Sequence, residues 1–249
     1  MNEDRPQVGF NRYLKLEWLD YAASLMLAGT PVAQIKLALE DLLKDQLSVG
    51  SQAVRGSRGK TVSMLLSIWV TAPKSLLWLR DSALEQMRRL PAAEHLPFHW
   101  GMSMAVYPFF GMAAESAGRA LHLQGSVSVG LLKTRLCEQY GQRETVLRST
   151  RYTLQCFSSW GLLHEVKEQS GVYDLSARHV LQEARIAAWL LAAALTSSGV
   201  QMAALKSLAQ SPRLFPFQIE AGRHLIEEGG PLEYFRQGLD EEMVTVKSK

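Results

Sequence analysis

A stripe of cationic, hydroxyl and amide side chains between residues 143 and 160 is the part of the chain best suited to binding another molecule. Its members recur at intervals of three and four, which is the spacing of one helix face, and they include no carboxylate. They are Thr145, Arg148, Arg151, Tyr152, Gln155 and Ser159, with Arg143 at the start of the stripe. Guanidinium and hydroxyl groups bind DNA phosphates, and arginine and glutamine also read base edges. The stripe therefore predicts a DNA-contacting helix, with a solvated face or a protein-docking face as the alternatives.

Two predicted helices position this stripe. The first begins after Ser128, a favourable N-cap residue, and runs to about Tyr140, where Gly141 permits a turn. The second runs from residue 143 or 144 to residue 160 and ends at Gly161. Its apolar face consists of Val146, Leu147, Thr150, Leu154 and Phe157. We therefore expect a helix-turn-helix whose second helix packs on the core through this face and presents the stripe to solvent.

A short β-hairpin is predicted directly after the second helix. Residues 162–167 and 172–175 have the composition of two antiparallel strands, and residues 168–171 have that of the turn between them. Gly171 supplies the conformational freedom that such a turn requires. Lys167 is the only basic residue on this predicted hairpin.

Residues 128–176 resemble the winged helix-turn-helix DNA-binding proteins of bacteria in the order of their elements and in their residue types. The resemblance implies that Arg148, Arg151, Tyr152 and Gln155 occupy recognition-helix positions and that Lys167 lies on the wing. The predicted wing is short and poor in arginine and lysine, which departs from many members of that family. The layout of the whole chain is also similar to that of small helical DNA-binding subunits of bacterial phage-defence systems, which implies a role in antiviral defence.

A second basic group lies in the glycine-rich segment 56–61, with sequence GSRGKT. This segment is similar to a phosphate-binding P-loop, but Val54 occupies the position of the first required glycine, so we do not expect nucleotide hydrolysis. Arg55, Arg58 and Lys60 precede a helix predicted to start at about Thr61. Because glycine-rich turns and helix N-termini attract phosphate, this segment is either a second DNA-backbone contact or a plain surface loop.

No combination of residues predicts catalysis. His95 and His99 are four residues apart, but Pro97 lies between them, so we do not expect them to share a helix face or to form a metal site. Neither cysteine has a neighbouring histidine, no serine lies in a nucleophile elbow, and the carboxylates do not converge as a nuclease would require. We therefore expect a protein that is not an enzyme and needs no cofactor or metal.

Composition permits DNA binding without requiring it. The chain has 249 residues and a formal charge of +3, which is only mildly basic. Cys137 and Cys156 are predicted to be buried free thiols, as expected in a reducing compartment. The N-terminus lacks the apolar segment of a signal peptide, and the apolar run 186–195 is too short to cross a membrane. These features predict a cytoplasmic location without membrane association.

The whole chain is predicted to be mainly α-helical, with one or two small hairpins and no fixed-period repeat. Residues 1–10 are expected to be frayed. We expect a helical N-terminal domain at 11–92, a winged helix-turn-helix domain at 97–178 and a helical C-terminal extension at 179–249. The predicted partner is double-stranded DNA, bound as a regulator or as a subunit of a bacterial complex, with other protein subunits or a homodimer as further candidates. The rival hypothesis is a protein-protein adaptor whose winged helix docks other proteins.

Overall fold

Helices dominate the computed structural model, which describes residues 7–47, 56–227, 230–237 and 241–247. The mainly helical class with small sheets is as predicted. The helices are α1 (Leu16–Leu27), α2 (Val32–Leu42), α3 (Ser57–Trp69), α4 (Leu77–Met87), α5 (Leu96–Val106), α6 (Pro108–Gln124), α7 (Val129–Tyr140), α8 (Glu144–Ser159), α9 (Ala184–Ser198) and α10 (Leu205–Ala209). The strands are β1 (Ser126–Ser128), β2 (Leu163–Glu165), β3 (Val172–Leu175), β4 (His179–Val180), β5 (Met202–Ala204), β6 (Phe217–Gln218), β7 (Leu232–Gln237) and β8 (Glu241–Val246).

The N-terminal helices pack around α5, whose residues are almost all buried. Phe98, Trp100 and Met104 of this helix are fully inaccessible to solvent, and α5 lies against α1, α3, α4, α6 and α9. Pro97 lies in the first turn of α5, and Pro108 is the first residue of α6. Proline is compatible with both positions because the backbone N–H groups of a first helical turn have no partner within the helix.

A three-stranded antiparallel sheet closes the segment that runs through α6, β1, α7, α8, β2 and β3. Its strand order is β1-β3-β2, and Leu163 of β2 pairs with Leu175 of β3. The predicted hairpin is thus confirmed, with a first strand shorter than expected. Strand β1, which pairs Val127 with Tyr173, was not predicted because three residues are too few to show an alternating pattern.

The C-terminal part repeats this arrangement of strands around a different set of helices. Helix α9 leads into β5 and α10, and the hairpin of β7 and β8 completes a sheet of order β5-β8-β7. In both sheets the last strand in the chain lies between the other two. Where the first segment has α8, the second has two 3₁₀ turns, Pro212–Leu214 and Arg223–Leu225, with the two-residue β6 between them, and the first of these turns packs on α6.

The predicted helical character of the C-terminal extension is only partly correct. Residues 202–204 form the short strand β5, which the five-residue α10 follows, and the described residues between 218 and 227 form no α-helix. Instead, Phe217 of β6 pairs in parallel with His179 of β4, and its ring packs 6.0 Å from that of Trp100. This tertiary contact overrides the local helix pattern. Strands β7 and β8 pair as an antiparallel hairpin, the second of the one or two small hairpins predicted.

An aromatic cluster joins the C-terminal part to the helices before it. The ring centroid of Trp100 lies 5.0 Å from those of Phe110 and Phe157 and 5.4 Å from that of Phe215. Buried residues from all three predicted segments belong to one hydrophobic cluster. The proposed division at residues 92–97 and 178–179 stays a prediction.

No single helix among the described residues has both the length and the hydropathy that a membrane span requires. The segments 57–69 and 74–87 have sufficient length and hydropathy only when they are taken together, and the chain bends by 52° between them.

Candidate nucleic-acid interface

Helix α8 is fixed to the core by the apolar face that its spacing predicts. Val146, Thr150, Leu154 and Phe157 are buried, and Leu147 is half-buried. The ring of Phe157 lies within 6 Å of those of Trp100, Phe110 and Phe215. Burying a phenylalanine or leucine side chain contributes roughly 1.5 to 3 kcal/mol each. The helix is therefore a rigid platform for the residues on its opposite side.

A side-chain hydrogen bond lies at each end of α7, the helix before α8. The Ser128 hydroxyl accepts a hydrogen bond from the backbone N–H of Leu131 at 3.1 Å, which confirms the predicted N-cap of α7. At the other end of α7, Gly141 has φ +80°, a conformation that favours glycine. Arg143 donates through Nη2 to the carbonyl oxygen of Tyr140 at 2.7 Å. Arg143 is half-buried, and its side chain folds back across the turn instead of extending along the outer face of α8.

The outer face of α8 carries the predicted stripe. Thr145, Arg148, Arg151 and Gln155 are exposed, and Tyr152 is half-buried. Arg148 and Arg151 form no ion pair with any residue that the structure describes. Both guanidinium groups are consequently available to an external anion.

The hairpin after α8 offers much less positive charge. Lys167 is exposed in the turn between β2 and β3 and has Glu168 beside it in sequence. The Glu165 carboxylate accepts a hydrogen bond from the backbone N–H of Gly171 at 2.7 Å, which stabilises the turn. One cation with two nearby carboxylates makes the hairpin a weak anion-binding element.

The N-terminal segment 7–15, which we call the strap, lies along α8. The backbone N–H of Leu14 donates to Cys156 Sγ at 3.3 Å, and Trp160 Nε1 donates to the carbonyl oxygen of Leu14 at 2.9 Å. Phe10 is fully buried. The expectation that residues 1–10 are frayed is therefore wrong for residues 7–10. Arg12 of the strap lies over the ring of Tyr152, with 6.0 Å between the guanidinium carbon and the ring centroid.

The described part of the glycine-rich segment belongs to a helix with packing partners different from those of α8. Arg55 and Val54 lie outside the described residues. Arg58 and Lys60 belong to the first turn of α3, which begins at Ser57, four residues earlier than expected. Helix α3 packs on α1, α2 and α5, whereas α8 packs on α6, α7 and β2. The structure thus assigns the two basic groups to different helices in different surroundings.

Three titratable side chains converge elsewhere, between α1 and the start of α5. Asp20 Oδ1 lies 2.7 Å from His95 Nδ1 and 2.9 Å from His99 Nε2. The expectation that Pro97 would keep the two histidines apart is wrong, because proline in the first turn of α5 leaves the helix intact. Spacing of four residues across that turn then brings both rings to one carboxylate.

Hydrogen bonds and the ionisation of these groups explain why the three side chains converge. His95 Nε2 faces the carbonyl oxygens of Met87 and Leu90 while Nδ1 faces the Asp20 carboxylate, so both ring nitrogens face acceptors, an arrangement that favours the protonated ring. Burial opposes this charge, but the hydrogen bond to Asp20 outweighs it and raises the pKa of His95. Burial likewise opposes ionisation of Asp20, but hydrogen bonds from His95 and His99 outweigh it and lower the pKa of that carboxyl. His99 is fully buried, and burial lowers its pKa.

The same distances argue against a zinc ion bound by these three side chains. Tetrahedral zinc ligands at about 2.0 to 2.1 Å from the ion lie roughly 3.3 Å from one another. The observed N···O distances of 2.7 and 2.9 Å are those of hydrogen bonds. The Nδ1 atom of His99 is buried and has no hydrogen-bond partner among the described residues. The cluster therefore ties α1 to α5.

Both cysteines are free, as predicted. Cys156 is buried and Cys137 half-buried. Burial raises the pKa of the Cys156 thiol to about 12, which keeps it protonated and unreactive.

Comparison of the chain with known protein families, curated proteins and solved structures gives no significant match.

Proposed function

We propose that residues 108–175 form a winged helix and that the chain binds double-stranded DNA by placing the outer face of α8 in the major groove. The order of elements, helix, strand, two helices and a hairpin, supports this proposal, as does the strand order β1-β3-β2. A helix of this kind reads DNA through the side chains on its solvent face.

The observation that carries the proposal is the composition of that face. Arg148 and Arg151 are exposed without an ion pair in the described part of the chain, and Tyr152 and Gln155 lie beside them on a helix anchored in the core. Water solvates such cations easily on any protein surface. On a helix that is anchored in the core, however, they are also held where they can bind the phosphates that border the major groove. The exposed amide of Gln155 can meet base edges.

In the proposed mechanism, charge positions the protein and a few side chains read sequence. Arg148 and Arg151 bind phosphates or guanine edges, Gln155 binds adenine edges, and Thr145 contacts the backbone near the start of α8. The hairpin contributes little, because Lys167 stands beside carboxylates. The protein acts without catalysis or a cofactor. The resemblance to bacterial winged-helix proteins supports a cytoplasmic regulator as the wider role, and the similarity of the layout to small phage-defence subunits supports a subunit of such a complex.

A protein-protein adaptor is the second candidate, and one feature of the C-terminal sheet favours it. Met202 of β5 and Phe235 of β7 are among the exposed large apolar residues. They lie on the same outer face, because Ala204 and Phe235 both pair with Met243 of β8 and residues two apart in a strand share a face. Exposed apolar groups on one sheet face are typical of protein contacts.

An electrophoretic shift series separates the two candidates. The protein is titrated against duplex DNA, single-stranded DNA and RNA of equal length, at about 50 mM and about 200 mM salt. DNA binding by α8 predicts preference for the duplex and a marked loss of affinity at the higher salt. Absence of affinity for all three probes at the lower salt contradicts the DNA proposal and favours the adaptor.

A further inference from the structure

The strap is anchored on both sides of Arg12. Before it, Phe10 packs its ring 5.0 Å from that of Phe110 and 5.6 Å from that of Tyr107. After it, Leu14 is fully buried, and its backbone N–H and carbonyl oxygen bond to the side chains of Cys156 in α8 and of Trp160, the residue directly after α8. The backbone at Arg12 is therefore held at a fixed position beside α8.

Gly9 makes this path possible. Its φ is +57°, and a Cβ atom at this position would lie 2.9 Å from the Tyr107 ring. Any other residue would be strained in this conformation and would collide with the ring. The strap thus has a specific course on the protein surface.

The guanidinium of Arg12 has unused hydrogen-bonding capacity. Arg12 is half-buried, and its Nη1 donates to the carbonyl oxygen of Asn11 at 2.5 Å. Its Nε is buried and has no partner in the described structure, so an external phosphate would bind at the terminal Nη groups. No described carboxylate forms an ion pair with Arg12. The adjacent Tyr152 ring offers its π face to the cation but leaves the charge uncompensated.

Arg12 also extends the row of cations on α8. Tyr152 follows Arg148 by four residues and therefore lies one turn farther along the same face of the helix. Because Arg12 lies over Tyr152, the strap adds a third guanidinium to the side of α8 that carries Arg148. This group comes from a segment more than 130 residues away in sequence.

We propose that the strap is part of the DNA interface and that Arg12 binds a phosphodiester of the duplex backbone, with Tyr152 as the residue that positions its guanidinium. This inference rests on the proposed function, since it assigns a further contact to the same surface. Because the contact is with a phosphate, it strengthens binding to all duplex sequences equally.

The test measures binding of a fluorescently labelled duplex to the full chain over a range of salt concentrations. Arg12→Gln should weaken binding roughly fivefold to tenfold near physiological salt, and it should lower the slope of log affinity against log salt by about 0.9, the contribution of one phosphate. Arg12→Lys keeps the charge and should restore the slope, although lysine lacks the planar guanidinium. Arg89→Gln is the matched control, because Arg89 is an exposed arginine on the surface near the end of α4.

Tyr152→Leu tests the positioning role. If Tyr152 orients Arg12, the effects of Tyr152→Leu and Arg12→Gln on affinity should be less than additive when the two are combined. Full additivity overturns the positioning role.

The outcomes separate this inference from the proposed function. If Arg12→Gln leaves affinity and salt slope unchanged while removal of Arg148 and Arg151 weakens binding, the strap inference is wrong and the proposed function stands. If neither change alters affinity, the proposed function is wrong as well. If Arg12→Gln lowers affinity without changing the salt slope, or Arg12→Lys fails to restore the slope, Arg12 does not bind a phosphate.

Discussion

Joint replacement of Arg148 and Arg151 by alanine should weaken duplex binding without unfolding the protein. Both side chains are exposed and lack an ion pair in the described structure, so their loss should change the free energy of unfolding by less than about 0.5 kcal/mol. Each phosphate contact contributes about 0.9 to the slope of log affinity against log salt, so the double variant should have a slope smaller by about 0.9 to 1.8, for one or two phosphate contacts. Between about 50 and 200 mM salt, the parent protein should lose roughly three to twelve times more affinity than the variant does.

Fluorescence anisotropy with a labelled duplex measures this difference, and thermal unfolding of the same samples confirms that the fold is intact. A control variant, Lys36→Ala with Arg89→Ala, removes the same charge from α2 and from the surface near the end of α4, where both side chains are exposed. An unchanged slope in the Arg148 and Arg151 variant would refute the assignment of α8 as the DNA-contacting helix. An equal decrease in the control would show that net charge, and not this face, determines binding.

Three further predictions concern the scaffold that positions α8. Leu154→Asp places an unpaired charge at a buried position, so it should lower the free energy of unfolding by roughly 3 to 5 kcal/mol and lower the melting temperature with it. An unchanged melting temperature would mean that the buried and exposed faces of α8 are assigned the wrong way round. Asp20→Asn should cost about 1 to 3 kcal/mol in urea unfolding near pH 6 and less near pH 9. Because the pKa of His95 is raised, its ion pair with Asp20 stabilises the fold fully below about pH 6.5, and this contribution is lost as the pH rises. Because the pKa of Asp20 is lowered, its contribution is present above pH 3.8, the ordinary pKa of the carboxyl group. Equal losses of stability at both pH values would contradict the ion pair. Gly118→Ala should destabilise the fold by about 1 to 3 kcal/mol, because the new Cβ would lie 2.0 Å from the Pro212 carbonyl oxygen. Its control is Gly130→Ala in α7, which meets no atom closer than 3.9 Å and should be neutral or stabilising. Similar melting temperatures for the two variants would exclude the close packing at Gly118.

The local parts of the site could be predicted from sequence. Spacing of three and four residues distinguishes the buried face of α8 from its exposed face, as Leu154 and Arg151 illustrate. Ser128 and Gly141 mark the ends of α7 because cap geometry restricts residue type. Gly171 similarly marks the hairpin turn, where it has φ +77°.

Contacts between distant segments could not be predicted in this way. Arg12 approaches Tyr152 only because Phe10 and Leu14 are buried elsewhere in the fold, and an extended strap has no helical period. The convergence of the two histidines on Asp20 depends on how α1 packs against α5.

The three-stranded form of the second sheet could not be predicted from the sequence for a related reason. Strand β5 has three residues, and two short 3₁₀ turns with the two-residue β6 take the place of the long helix found in the first segment. The two segments therefore share a strand order without sharing a sequence period, and no fixed-period repeat is visible in the residues themselves.

Photocrosslinking from α8 tests the central claim most directly. A benzoylphenylalanine residue replaces Gln155, which is exposed on the outer face of α8, or Leu37, which is exposed on α2, and each protein is irradiated with a labelled duplex. We predict a crosslink from position 155 that weakens with added salt, and none from position 37. Crosslinking from position 37 with none from position 155 would contradict DNA binding through α8.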